Sequence, residues 1–154
     1  MTRHEPTLDM SRPTGSVGIL RIDHVGVAVA DLDEAISFYT GVFGMRCTHV
    51  EVNEEQGVRE AMLQVGAPDG GMIQLLAPLN ADSTIATFLD KRGPGIQQLA
   101  YTVRDILETS AALRAKGLRL LYDEPRRGTA ESLVNFVHPK DAGGVLVELV
   151  QPSA

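Results

Sequence analysis

The sequence predicts an α+β fold made of two tandem β-α-β-β-β modules. One observation is an internal repeat, because strand-like and helix-like segments follow one another in the same order twice along the 154 residues. A second is the composition, since 15 glycines and 5% aromatic residues favour short strands and tight turns over a helical bundle. A third is the hydrophobic content of 44%, which is enough for a packed core.

Module one covers about residues 19–79. It opens with a valine-rich strand at 22–28, in which successive side chains point to opposite faces of the sheet. A helix follows at 31–43, where Leu32 and Ile36 begin an apolar series at helical spacing. Three further strand-like segments lie near 45–52, 58–65 and 71–77.

Module two repeats this order over about residues 95–151. Between the modules, Ser83 is a typical helix-start residue and predicts a linker helix at about 82–92. We expect one domain over residues 18–154, preceded by a disordered tail at 1–17 that mixes Pro, Gly and charged residues without periodicity. The elements of module two are a strand at 96–103, a helix at 105–116 and strand-like segments near 118–123, 132–137 and 144–150.

The charge and the cysteine content restrict the partners and the compartment. The net charge of -6 argues against binding to nucleic acid. Cys47 is the only cysteine, which excludes an intrachain disulfide and favours a reducing, cytoplasmic compartment. No apolar run approaches the ~18 to 20 residues that cross a bilayer, so we expect no membrane contact.

Four polar residues lie on predicted strands where apolar residues are expected. They are His24, Gln74, Gln98 and Glu148. Gln98 follows His24 by 74 residues, and Glu148 follows Gln74 by the same interval. Regular alternation places Ile22 on the strand face of His24 and Ile96 on that of Gln98. The same faces carry the small residues Gly26 and Ala100, which leave room for a cavity. We therefore expect the four side chains to converge in one cavity.

A histidine, two carboxamides and a carboxylate are a suitable N/O donor set for a metal ion. The alternative is a group of buried polar side chains that only satisfy one another. The shared register of the four favours the metal site, because a satisfied core needs no repeat-related polar set.

Glu60 breaks the symmetry of the repeat, because the equivalent position of module two is Val134. On its predicted strand, Glu60 shares a face with Val58 and Met62, so we expect its carboxylate to point inward. An inward acid near a cation is a general-base candidate. The alternative is a surface carboxylate paired with Arg59.

Several sequence motifs carry a family resemblance over about residues 19–151. They include IDHVGVAVADLDEAISFY at 22–39, EVNEEQGVREAML at 51–63, LLYDEPRRG at 120–128 and NFVHPKDAGGVLVELVQ at 135–151. The paired modules resemble the vicinal oxygen chelate superfamily, and the last three motifs resemble the methylmalonyl-CoA epimerases within it. The resemblance implies a glyoxalase-like fold, in which both modules form one curved mixed sheet.

The resemblance also implies a reaction and its residues. The epimerases interconvert the 2R and 2S forms of methylmalonyl-CoA by removing the proton at C2 through an enolate, with a divalent metal ion such as Co, Mn, Ni or Zn. Glu60 and Glu148 match the opposed acid/base groups. The family usually has a histidine at the position of Gln98, so this residue leaves the metal and its occupancy open. The implied metal ligands are His24, Gln74, Gln98 and Glu148.

The resemblance implies an acyl-CoA substrate and a homodimer. Two alternatives stay open: a glyoxalase-type isomerase of the same superfamily, and a non-catalytic dimer that sequesters a ligand. Turnover of a thiol adduct would favour the first, and tight ligand binding without metal dependence would favour the second.

Overall fold

The computed structural model describes residues 16–154, which form an eight-stranded sheet and three α-helices. The predicted tail at 1–17 lies outside the described residues except for Ser16 and Val17. Among the residues described, no helix is long and apolar enough to cross a membrane.

The elements follow the predicted order through both modules. Module one contains β1 (Ile19–Ala28), α1 (Leu32–Gly41), β2 (Arg46–Asn53), β3 (Val58–Gln64) and β4 (Met72–Pro78). The linker helix is α2 (Thr84–Arg92). Module two contains β5 (Gly95–Val103), α3 (Ile106–Ala115), β6 (Arg126–Arg127), β7 (Leu133–Val137) and β8 (Val147–Gln151). The helices begin where short polar side chains cap them, since Asp31, Ser83 and Asp105 each accept a backbone N–H of the first turn.

The strands lie in the order β2-β3-β4-β1-β5-β8-β7-β6, so each module contributes one half of the sheet. The first strands of the modules, β1 and β5, pair antiparallel at the centre. Each also pairs in parallel with the last strand of its own module, β4 and β8 respectively. This mixed sheet confirms the predicted fold class.

Helices α1 and α3 cover one face of the sheet, and we call the opposite face the inner face. Under α1, Leu32 packs on Leu63 and Leu75. Under α3, Ile106 packs on Val103 and Leu149. These strand residues alternate with His24, Gln74, Gln98 and Glu148, so the polar side chains point to the inner face. Neither α1 nor α3 covers that face. Helix α2 packs on the inner face at one end, in the cluster of Ala28, Val58, Leu76 and Ile85.

The predicted strand at 118–123 was wrong. This segment contributes only an isolated bridge from Leu120 to Val137, and β6 forms later as a two-residue strand. The reason is that the Asn135 side chain, rather than a neighbouring strand, binds the backbone of this segment at Tyr122. Asn135 Oδ1 accepts the backbone N–H of Tyr122 at 3.2 Å, and Asn135 Nδ2 donates to the backbone oxygen of Tyr122 at 3.0 Å.

Three register shifts interrupt the pairing of β1 with β5: one skips Leu20 near the start of β1, and two are β-bulges beside His24 and Gln98. The register skips Asp23 on β1 and Gln97 on β5, so each is an extra residue in the described ladder. The two lie 74 positions apart and are therefore equivalent in the repeat. A bulge turns the preceding side chain to the other face, so Ile22 lies opposite Tyr101 and Ile96 opposite Val27. The two isoleucines are 57% and 71% exposed. Their predicted place on the inner face was wrong.

Candidate active site

The four repeat-related polar side chains lie together on the inner face of the four central strands. Each is 3–6% exposed. The ladder explains the convergence: Gly26 is opposite both Gln74 on β4 and Gln98 on β5. In module two, the equivalent Ala100 is opposite Glu148. Small residues on the intervening strands thus leave room for the long polar side chains, and a Cβ on Gly26 would lie 2.4 Å from the Gln98 side chain.

The Gln98 carboxamide is the centre of this cluster. Its Nε2 donates to Gln74 Oε1 at 3.1 Å and to Glu148 Oε2. The same nitrogen lies 3.4 Å from His24 Nε2. Three ligand-type atoms from three strands therefore surround one carboxamide.

His24 is fixed by a carboxylate at its outer nitrogen. Its Nδ1 lies 2.7 Å from Asp23 Oδ1, and Thr102 Oγ1 donates to Asp23 Oδ2 at 2.6 Å. Burial alone would lower the pKa of the imidazole, but hydrogen bonds and negative charges of Asp23 and Glu148 outweigh it and raise the pKa to about 10. A carboxylate in this position orients the imidazole and directs Nε2 into the cluster.

Glu60 lies beside the cluster and is 3% exposed. Thr129 Oγ1 donates to Glu60 Oε1 at 2.5 Å, and Gln74 Nε2 donates to Glu60 Oε2 at 3.0 Å. Burial raises the pKa of Glu60 to about 7; the hydrogen bond from Thr129 opposes the rise, and the charges of Glu51 and Glu148 add to it. A carboxyl with a pKa near neutrality is suited to proton transfer.

The alternative ion pair of Glu60 is not formed. The guanidinium of Arg59 lies 3.0 Å from Asp33, on the other side of the strand. Glu60 is therefore an inward acid, as its strand position predicts.

Thr129 reaches Glu60 from the loop between β6 and β7, across the two modules. Its neighbours Ala130 and Glu131 have φ angles of 52° and 62°, which are strained for residues other than glycine. Two contacts hold this backbone: Ala130 N donates to Glu51 Oε1 at 2.6 Å, and Arg127 lies 2.9 Å from Glu131. The loop thus places a hydroxyl of module two on an acid of module one.

A cavity of about 620 Å³, including its open mouth, adjoins the cluster on the inner face. Its polar end is formed by the carboxyl groups of Glu60 and Glu148 with the two central glutamines. Its apolar wall includes Leu76, Ile85 and Phe136. Such a cavity suits a ligand with a polar reacting end and an apolar arm.

The donor set fits a divalent ion through oxygen and imidazole ligands. His24 Nε2 lies 3.7 Å from Glu148 Oε2, and Gln74 Oε1 also faces Gln98. Turning the Gln98 carboxamide by 180° would present its oxygen instead of its nitrogen. Residues 16–154 contain no group of three His, Cys, Asp or Glu side chains that could hold a metal, because two of the four positions are glutamines. The structure brings the four residues together; ligation remains a prediction.

Two residues that contact the cluster were missed by sequence reasoning. Asp23 precedes His24, but strand alternation places neighbours on opposite faces, and only the bulge brings both to one site. Thr129 lies in a loop without periodicity, and its contact depends on the unusual backbone of Ala130. For Asp23 the adjacent acid and histidine were a usable signal, whereas Thr129 left none.

Three kinds of comparison agree on the relatives of this chain. The profile of the glyoxalase/bleomycin resistance protein/dioxygenase superfamily matches residues 23–136. A methylmalonyl-CoA epimerase structure from Mycobacterium tuberculosis is 55% identical, covers 89% of this chain and 91% of its own, and has a TM-score of 0.86. A methylmalonyl-CoA epimerase in complex with methylmalonyl-CoA and NH4+ is 48% identical over 88% of this chain and 96% of its own, with a TM-score of 0.84. The mitochondrial methylmalonyl-CoA epimerase of Mus musculus is 39% identical over 92% of this chain and 77% of its own length.

Proposed function

The chain belongs to the glyoxalase/bleomycin resistance protein/dioxygenase superfamily, and we propose that it is an epimerase that interconverts the 2R and 2S forms of methylmalonyl-CoA. Its similarity to methylmalonyl-CoA epimerases over most of their length supports this assignment. The observation that carries it is the placement of two carboxyl groups, Glu60 and Glu148, at either end of the central pair of glutamines.

Epimerisation needs a group that removes the C2 proton from one face and a group that returns a proton to the other. Glu60 and Glu148 come from different modules and are separated by the Gln74 and Gln98 side chains. We assign Glu60 as one proton-transfer group and Glu148 as the other, so that a substrate bound over the glutamines has one carboxyl on each side. Each acid serves as base for one epimer and as acid for the other.

Glu60 is suited to exchange a proton in both directions. Burial raises its pKa to about 7, so the protonated and ionised forms are both accessible near neutral pH. Thr129 and Gln74 each donate a hydrogen bond to one of its oxygens and fix the carboxyl plane.

The residues proposed to hold a divalent ion are His24, Gln74, Gln98 and Glu148. An ion held there would supply Lewis acidity for the negative charge that develops when the C2 proton leaves. Asp23 orients His24 for that role. Gln98 would bind the ion through its carboxamide oxygen, which faces the cluster after a 180° turn of the amide. Glu60 has no part in binding the ion.

We also propose that the protein is a cytoplasmic homodimer. The edge strand β2 exposes Val50 and Val52, which are 44% and 52% accessible. An uncovered edge with apolar side chains is a surface that a second copy of the chain would cover.

Proton exchange at C2 of methylmalonyl-CoA tests the proposed function. The protein is incubated with one epimer in D2O, with and without added Co, Mn, Ni or Zn, and the C2–H signal is followed by NMR. We expect deuterium at C2 and the appearance of the other epimer. An unchanged C2–H signal under all metal conditions would contradict the proposal and leave turnover of a thiol adduct as the activity to measure.

A further inference from the structure

Two glutamines that line the cavity each carry a buried polar atom without a hydrogen-bond partner among residues 16–154. They are Gln97, through Oε1, and Gln56, through Nε2. A buried polar atom without a partner costs stability, so most such atoms in proteins are paired. An unpaired acceptor and an unpaired donor in one cavity point to a ligand that offers the complementary groups.

The bulge in β5 explains why Gln97 lines the cavity beside Gln98. Neighbours on a regular strand point to opposite faces. Gln97 is the residue that the ladder skips, so its side chain is turned toward the cavity that Gln98 also lines. The bulge thus adds a polar group to the inner face that an unbroken strand would not place there.

Comparison of the two modules shows that, of their two bulged residues, only Gln97 in module two has an unpaired side-chain atom among residues 16–154. Its equivalent in module one, Asp23, accepts a hydrogen bond from Thr102 at 2.6 Å. The position equivalent to Thr102 in module one is Ala28, which has no polar side chain. Arg21 pairs with Thr102 and Gly95 pairs with Ala28, so the two environments match in the ladder. The bulged residue of module two is therefore left without the internal partner that its counterpart has.

Gln97 Oε1 needs a hydrogen-bond donor, and this restricts which part of a substrate it contacts. The ionised carboxylate and the thioester carbonyl of a malonyl-type substrate offer only acceptors. The donors closest to the sulfur of a pantetheine thioester are the N–H groups of its secondary amides. We infer that Gln97 is a specificity residue that accepts the amide N–H of the thiol carrier arm, an assignment that rests on the proposed function for its ligand class.

Gln56 supplies the complementary donor. Its Oε1 accepts the hydroxyl of Tyr122 at 3.3 Å, and its backbone N–H donates to Asn53 Oδ1 at 3.0 Å. Nε2 of this cavity-lining side chain has no partner among residues 16–154, and it would donate to a carbonyl oxygen of the same arm. A secondary amide provides both the N–H and the C=O that the two glutamines lack.

Binding of two matched probes tests the role of Gln97. The first is the propionyl thioester of N-acetylcysteamine; the second is its ketone analogue, in which CH2 replaces the amide N–H and the carbonyl is kept. Dissociation constants are measured by NMR titration, which requires no turnover. We expect the parent protein to bind the amide probe about 5- to 100-fold tighter than the ketone.

Three variants test whether the preference for the amide probe depends on Gln97. Gln97→Met removes the acceptor and should bring the two dissociation constants to within about twofold. Gln97→Glu keeps an acceptor and should keep the preference for the amide. Thr84→Val changes another cavity residue and should also keep it. If Gln97→Met is unstable to heat, Gln97→Ala replaces it.

Three results would overturn the inference. These are equal binding of the two probes by the parent protein, binding of neither probe, and an unchanged preference after loss of the Gln97 acceptor. The proposed function is tested separately. It fails if the parent protein does not catalyse deuterium exchange at C2 of methylmalonyl-CoA. The two failures are distinct, because the probes lack the carboxylate and are assayed by binding alone.

Discussion

Thr129 Oγ1 lies 2.5 Å from Glu60 Oε1, so a hydroxyl of module two contacts the proposed base of module one. The same hydroxyl accepts a hydrogen bond from Gln74 Nε2 at 2.8 Å. Thr129 thus connects the proposed base to a proposed metal ligand. Its role is to hold the Glu60 carboxyl in place.

Thr129→Val keeps the shape of the side chain and removes the hydroxyl. We expect proton exchange from the epimer served by Glu60 to slow by about 10- to 100-fold, because a displaced base loses its alignment with the C2 proton. Exchange from the other epimer should change little, since Glu148 keeps its contacts. The measurement is deuterium incorporation from each pure epimer.

Thr129→Ser is the matched control, because it restores the hydroxyl without the methyl group. It should recover most of the lost exchange. Equal slowing from both epimers in Thr129→Val would show general damage to the cavity, and the positioning role would then be rejected.

The raised pKa of Glu60 predicts a pH-dependent stability. A carboxyl with a pKa of about 7 in the folded protein and 4.5 in the unfolded chain binds more protons when folded between these values. In the metal-free protein, the free energy of unfolding should therefore decrease as pH rises from about 4.5 to about 7, by up to about 3 kcal/mol from this group. Glu60→Gln does not titrate and should lack this component.

Denaturant unfolding of the parent protein and Glu60→Gln over this pH range measures the component as a difference. Subtraction removes the titrations of groups that do not interact with Glu60. A difference that stays constant from pH 4.5 to pH 7 would mean that burial does not raise the pKa of Glu60.

Gln98→His tests the proposed metal site. Imidazole binds Co or Ni more strongly than a carboxamide does, so the dissociation constant for either ion should decrease about 10-fold or more. Calorimetric titration of the metal-free proteins measures it. His49→Ala is the control, because His49 pairs with Glu51 and lies outside the cluster. No gain in affinity would show that Gln98 does not contact the ion.

The homodimer prediction concerns the β2 edge. Light scattering at micromolar concentration should give about twice the chain mass of 16.6 kDa. Val52→Lys places a charge on the exposed edge and should shift the protein toward monomer. Leu107→Lys, at an even more exposed apolar position on α3, should not. A monomeric parent protein would contradict the prediction.

Local patterns explain which features the sequence predicts well. The order of the elements follows from apolar periodicity and capping residues, and the 74-residue spacing aligns His24 with Gln98 and Gln74 with Glu148. Strand alternation is enough to bring these four and Glu60 to the inner face. The spacing is preserved in the folded sheet because the bulged residues, Asp23 and Gln97, lie at equivalent positions of the repeat, directly before His24 and Gln98.

The remaining features depend on irregular backbone. One extra residue in a strand reverses the direction of its neighbours, which is why the faces of Ile22 and Ile96 were predicted wrongly. The contact between Thr129 and Glu60 depends on left-handed φ angles in a loop of alanine and glutamate, where composition suggests no such turn. The segment 118–123 has strand-like residues, but the Asn135 side chain binds its backbone at Tyr122.

The most direct test of the account compares deuterium exchange at C2 of the 2R and 2S epimers of methylmalonyl-CoA in the parent protein, Glu60→Gln and Glu148→Gln, with metal content measured in parallel. The account predicts that Glu60→Gln keeps its metal, loses epimerisation by about 10²- to 10⁴-fold and still exchanges the C2 proton of the one epimer that faces Glu148. Glu148→Gln should lose both metal and turnover. Near-normal epimerisation by Glu60→Gln would contradict the account, because Glu60 would then be only a buried carboxyl on β3.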